Sequence, residues 1–147
     1  MKKLIIATLL SVFPLFSYAN PLYLADFATA PATQKVYSAL IAKAQLPAWV
    51  KQGGTGSPAI EVEVSGVKYQ VMSGCKPHNC PSQQFAVMYA PQSHQIYAVY
   101  AQYHEKNATQ ELRWLNVGED QPVDIRTVLF ARLSGSLENH PEQFNFH

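Results

Sequence analysis

Ile60-Glu61-Val62-Glu63-Val64-Ser65-Gly66-Val67-Lys68-Tyr69-Gln70-Val71 is the stretch that decides the fold. Ile60, Val62 and Val64 alternate with Glu61 and Glu63, and Val67, Tyr69 and Val71 alternate with Lys68 and Gln70. A period of two puts the apolar side chains on one face and the polar ones on the other, which marks strands with one wet face. Ser65-Gly66 between them is a two-residue hairpin turn, because glycine takes the positive φ that such turns require. Further strands are expected at Phe85-Ala86-Val87-Met88-Tyr89, Ile96-Tyr97-Ala98-Val99-Tyr100 and Leu112-Arg113-Trp114-Leu115, with turns at 90–93 and 105–108. Short connections between successive strands favour antiparallel pairing.

Outside this block the period changes. Val36, Tyr37, Leu40, Ile41 and Ala44 fall on one face of a helix that starts around Thr29-Ala30-Pro31, since proline is tolerated in a first turn. Leu46-Pro47 ends it, and residues 47–52 predict a short helical piece stopped by Gly53-Gly54. Residues 122–133 carry Ile125, Val128, Leu129 and Leu133 at helical spacing, with Gly135 just beyond. The order is helix, about five strands, helix. The expected class is α+β: an antiparallel meander of about five strands with helices packed on one face. The polar tail, residues 136–147, is expected to be loosely held.

Met1-Lys2-Lys3, an apolar run over residues 4–16 and then Ser17-Tyr18-Ala19 are the parts of a secretory signal peptide cut after Ala19. The run is shorter than the roughly 18 apolar residues of a spanning helix, so no membrane anchor is expected. With no cysteine near residue 20, a lipid anchor is not expected either. The expected organisation is therefore 1–19 signal peptide and 20–147 a single exported domain. Without Lys2 and Lys3, the 11 basic residues fall to nine against ten acidic ones, a net charge of −1 with histidines neutral. That is not the basic footprint of a nucleic-acid binder. Eight tyrosines, seven phenylalanines and two tryptophans supply bulk for a core.

Gly74-Cys75-Lys76-Pro77-His78-Asn79-Cys80 holds both cysteines of the chain. If residues 67–72 pair with residues 84–89, the connection between them is 11 residues long. Hairpin loops usually run about two to five residues, and much longer ones tend to be functional. In an oxidising compartment, Cys75 and Cys80 are expected to be bonded to each other and to tie the base of the loop. A metal site is disfavoured, because His78 and two cysteines need a further ligand and the other histidines are scattered. No metal or cofactor is expected. A redox pair would space its cysteines C-x-x-C, and a bonded cysteine cannot act as a nucleophile. A plain stapled turn with an exposed His78 stays open. Against it stands the choice of residues: Pro77 fixes its own φ and restricts Lys76, and His78 offers two ring nitrogens, each able to engage an acceptor. Such a stiff basic protrusion suits a cleft lined by carboxylates, and stiffness lowers the entropy cost of binding.

Cys75-Lys76-Pro77-His78-Asn79-Cys80, in an exported domain of this size, resembles the inhibitor of vertebrate lysozyme (Ivy) family. Leu46-Pro47-Ala48-Trp49-Val50-Lys51-Gln52-Gly53 also resembles that family's segment before its first long strand, and the likeness spans roughly residues 31–133. It implies a periplasmic protein of Gram-negative bacteria, not an enzyme, whose partner is a c-type lysozyme. It also implies that the disulfide-closed loop enters the enzyme's active-site cleft. By the same likeness, His78 reaches the catalytic acids, Lys76, Pro77 and Asn79 shape the tip, and Cys75–Cys80 closes it. The family often has an aspartate where this chain has Asn79, so the tip here lacks that negative charge. Two other readings stand beside it: a periplasmic enzyme using His78 or His104 with a neighbouring acid, and an inhibitor of the cell's own wall-cleaving enzymes, such as lytic transglycosylases. Whether the mature protein forms a homodimer is left open. Tyr97, Tyr100 and Tyr103 read as core or interface, with strand spacing favouring the core, and His140 and His147 are expected to be exposed and inert.

Overall fold

The computed structural model describes residues 20–147; the expected signal peptide lies outside the described residues. Five strands follow one another as β1 (Ile60–Val64), β2 (Val67–Cys75), β3 (Gln83–Tyr89), β4 (Ile96–His104) and β5 (Thr109–Leu115). They form one sheet in sequence order, every neighbour antiparallel, as the alternation predicts. Val64 pairs with Val67, so Ser65-Gly66 is the whole turn, and both residues have positive φ (51° and 78°), the requirement of a type I′ turn. His104 pairs with Thr109, leaving residues 105–108 as the β4–β5 turn.

Helices α1 (Leu24–Thr29) and α2 (Gln34–Ile41) and a 3-10 helix (Ala48–Gln52) precede the sheet; α3 (Val123–Ser134) and α4 (Ser136–Asn139) follow it. The structure corrects one feature of the expected architecture: the helices cover both faces of the sheet, not one. Phe85, Val87 and Tyr89 of β3, with Ala98 and Tyr100 of β4, point into a core shared with Leu24, Phe27, Tyr37 and Leu40 of α1 and α2. The intervening Ala86, Met88 and Val99 point the other way, onto Ile125, Val128 and Leu129 of α3. The physical reason is visible in the strands themselves. β3 and the first part of β4 are unbroken apolar runs, the pattern of strands buried on both faces, whereas edge strand β1 alternates.

Helix α1 lies where no helix is predicted; its Leu24, Phe27 and Ala28 sit at one-turn spacing and are buried. The Asp26 carboxylate accepts the Tyr23 N–H at 3.2 Å, filling one of the open donors at the helix start. Pro31 consequently sits in the turn between α1 and α2 rather than in a first helical turn. The 3-10 helix ends at Gly53, whose φ of 80° is the left-handed stop that glycine accepts without strain.

The tail departs from expectation as well. Leu137 is fully buried, and Phe146 continues the sheet edge: its N–H donates to Glu63 O (2.8 Å) and its carbonyl accepts from Ser65 N (2.7 Å). Edge strand β1 has open backbone groups, and the tail satisfies them. His140 and His147 are exposed, as expected, and His147 Nδ1 lies 3.7 Å from Glu63 Oε1. Tyr97 and Tyr100 are buried; Tyr103, beyond the reach of both cores, is 40% exposed. Among the described residues no helix is long and apolar enough to cross a membrane.

Candidate functional site

In an antiparallel meander, alternate connections share one end of the sheet. The β2–β3 loop and the β4–β5 turn therefore project from the same end. The β2–β3 ladder runs further than the sequence suggests, up to Cys75 opposite Gln84, so the free connection is residues 76–82 rather than the expected 11 residues. Ser73 and Gly74 lack the β-branched character that marks a strand, which hides this extension in the sequence.

Cys75 and Cys80 are bonded to each other, with Cα atoms 4.7 Å apart. Their sulfurs are therefore not thiolates and cannot serve as metal ligands or nucleophiles. Inside the ring, Asn79 N donates to Lys76 O at 3.0 Å, closing a turn with Pro77 second and His78 third. His78 has φ of 63°. Proline second and positive φ third are the signature of a type II turn, where glycine is the usual third residue. A histidine there is strained, and its side chain is thrown outward at the apex. Pro77, His78 and Asn79 are exposed, while Lys76 is half-buried. Among the described residues the side chains of Lys76, His78 and Asn79 make no hydrogen bond or ion pair; the salt bridges present lie elsewhere.

The base of the loop is gripped from three directions. On one side, Cys75 N donates to Thr55 O (2.8 Å) and Thr55 N to Cys75 O (3.1 Å), extending the sheet past the end of β1. On the second, Lys76 N donates to Gln83 O (3.0 Å), while Asn79 O accepts from both Ser82 N (3.2 Å) and Ser82 Oγ (3.1 Å). On the third, Tyr103 N of β4 donates to Ser82 O at 2.8 Å. Trp49 of the 3-10 helix adds Nε1–H to Gln83 Oε1 (2.8 Å). Gly54 must be glycine: a Cβ there would lie 2.4 Å from Cys75 O and 2.7 Å from the Trp49 ring. The 3-10 helix is itself anchored, because the buried Tyr37 hydroxyl donates to Val50 O, which also accepts from Gly53 N.

Behind this end sits Arg132 of α3, with a fully buried side chain. Its Nε donates to Ser73 Oγ (3.0 Å) and its Nη2 to Pro58 O (2.7 Å) and Ser57 O (3.1 Å). Its Nη1 lies 3.0 Å from Glu138 Oε1, an ion pair without hydrogen-bond geometry. Burial lowers the pKa of the guanidinium, and the Glu138 charge opposes that shift. Arg132 thus fastens residues 57–58 and the end of β2 to α3. Sequence reasoning missed it, together with Thr55 and Ser82; only Trp49 carried a signal, as part of the 46–53 segment.

His104, the other histidine considered for catalysis, lies on the exposed part of β4. Its Nε2 is 3.6 Å from Glu111 Oε2, while Arg113 Nε donates to Glu111 Oε1 at 2.8 Å. The Arg113 hydrogen bond and charge hold the Glu111 carboxyl below the usual carboxylate range, which makes it a weak base. The structure does not bring His78 and His104 together with a shared acid.

The family model described as inhibitor of vertebrate lysozyme (Ivy) matches residues 32–134. The protein named inhibitor of vertebrate lysozyme from Escherichia coli K12 is 44% identical over 127 residues, covering 86% of this chain and 81% of that protein. Its namesake from Escherichia coli O157:H7 gives the same values. The matched span contains the 3-10 helix, the whole sheet and α3. The chain belongs to the inhibitor of vertebrate lysozyme family.

Proposed function

We propose that this protein is an exported, periplasmic inhibitor of c-type lysozyme that plugs the enzyme's active-site cleft with the loop closed by Cys75 and Cys80. The family is one of inhibitors rather than enzymes, in line with the expectation from the sequence. The observation that carries the reading is the apex: His78 stands exposed at positive φ with no partner of its own among the described residues, on a turn gripped from three sides. Strain held at a site that the surroundings over-determine is a hallmark of binding loops.

The chemistry follows from the target. A retaining glycosidase holds two carboxyl groups roughly 5–5.5 Å apart, one of them protonated. An imidazole between them reaches both at once through its two ring nitrogens. The loop presents no glycosidic bond, so the enzyme is occupied without turnover. Asn79 adds an amide where a carboxylate would repel the same acids, and Lys76 adds a cation at the rim of the tip. Because the backbone of the loop is bonded before any encounter, little conformational entropy is lost on insertion.

Titrating the protein against a c-type lysozyme in a cell-wall lysis assay is the test. Lysis is expected to fall to zero near one inhibitor per enzyme, and His78→Ala to shift the curve far to the right with the fold unchanged. A wild-type protein without effect at micromolar concentration would remove the reading.

A further inference from the structure

We infer that the β4–β5 turn is a second contact of the inhibitor, and that the groove between it and the disulfide loop receives one polypeptide lip of the enzyme's cleft. This rests on the lysozyme-plug reading and deepens it. A specific protein–protein interface takes roughly 20–30 residues and about 800 Å² from each side. The tip offers four residues, Lys76, Pro77, His78 and Asn79, one of them half-buried. More surface must contact the enzyme, and it must lie beside the loop.

The β4–β5 turn leaves the same end of the sheet as the loop, and the end of β4 that carries it is joined to the loop through Tyr103 N and Ser82 O. Between them runs a groove of about 620 Å³, with Asn79 and Ser82 on one wall and residues 103–107 on the other. The loop wall is a rigid part of the proposed plug, so a cleft that swallows His78 brings one of its edges against this groove.

Tyr103 breaks the core pattern of β4: Tyr97 and Tyr100 are buried, while Tyr103 keeps 40% of its surface exposed beside the groove. Tyrosine is enriched at interface centres because a rigid ring gives contact area and its hydroxyl a hydrogen bond. The walls add Asn79, Ser82, His104, Glu105, Lys106 and Asn107, donors and acceptors that pair with main-chain carbonyls and amides. That lining suits a polar edge of a polypeptide, not an apolar helix.

The test measures binding to a c-type lysozyme by surface plasmon resonance for wild type, Tyr103→Ala, Lys106→Glu and Gln92→Ala, the last at the opposite end of the sheet. Tyr103→Ala is expected to dissociate about tenfold faster and Lys106→Glu several-fold faster, with Gln92→Ala matching wild type. Lys106 is exposed in the turn, so its variant keeps the question open to an answer even if Tyr103→Ala folds poorly. Wild type that binds, with both groove variants binding within twofold of it, overturns the second contact and leaves the plug standing. Wild type that fails to bind removes both.

Discussion

Replacing His78 by glycine separates what the loop does for the fold from what it does for a partner. At φ of 63°, an L residue carries a strain of about 1–2 kcal/mol that glycine does not. Against this, glycine enlarges the unfolded ensemble, a loss of about 0.4–1 kcal/mol. The His78 side chain makes no hydrogen bond or ion pair among the described residues, so nothing else enters the balance. His78→Gly should therefore be more stable than wild type by about 0.5 kcal/mol, a rise of about 0.3 M in the urea midpoint at a typical slope. Trp49, bonded to Gln83 at the base of the loop, supplies the fluorescence signal. Inhibition, by contrast, should fall by at least about 30-fold, the loss expected of a central binding residue. Ser65→Gly is the matched control: it also removes a positive φ (51°), but in the β1–β2 turn at the far end of the sheet. It should gain similar stability and keep full inhibition. A His78→Gly protein that is stable and still inhibits like wild type refutes the role given to the imidazole. A large loss of stability would show instead that His78 supports the loop.

Three further outcomes follow from the same geometry. Cys75→Ala with Cys80→Ala opens a ring spanning a sequence separation of 5 and should cost about 2 kcal/mol by loop entropy, read by urea unfolding, while inhibition weakens because the tip is no longer held. Unchanged potency of that double variant would show that the backbone hydrogen bonds alone shape the tip. Arg132→Ala leaves the Ser57 and Pro58 carbonyls without their buried donor and should cost about 3 kcal/mol in thermal or urea unfolding; its amide exchange should quicken at Thr55 and Cys75. The fourth concerns alkaline pH. Burial holds the Tyr37 phenol protonated well above its ordinary value, so the unfolded chain loses that proton first. The stability it contributes is intact below about pH 10 and is lost as pH rises further. Tyr37→Phe should flatten part of that alkaline fall, leaving the share due to Tyr69, Tyr97 and Tyr100, whose phenols are also raised by burial.

The sheet was legible because its signals are local. The alternation through residues 60–71, the Ser65-Gly66 turn and the four residues between His104 and Thr109 each depend on neighbours in sequence. Helix α3 was equally plain from Ile125, Val128 and Leu129, with Gly135 (φ 79°) as its stop. What escaped depends on distant partners. Helix α1 has six residues and is made stable by Phe27 packing on Tyr37 and Tyr89, contacts no local pattern encodes. The tail reads as polar, yet Phe146 finds the open edge of β1. The two-sided core was readable in the unbroken runs of β3 and β4, but helix order alone does not say which face each helix takes. At the site, the residues of the tip were legible because they share one short loop. The grip on its base was not, since Thr55, Trp49, Tyr103 and Arg132 meet it only after folding.

The central claim is that the loop occupies the cleft in which the enzyme holds its sugar substrate. Competition measures this most directly: affinity for a c-type lysozyme is followed by isothermal titration while a non-hydrolysed oligosaccharide fragment of the substrate fills the cleft. The account predicts that the apparent Kd rises by a factor of one plus the ratio of the oligosaccharide concentration to its own dissociation constant, as competition for one site requires. An apparent Kd unchanged by a saturating oligosaccharide would place the inhibitor elsewhere on the enzyme and contradict the account.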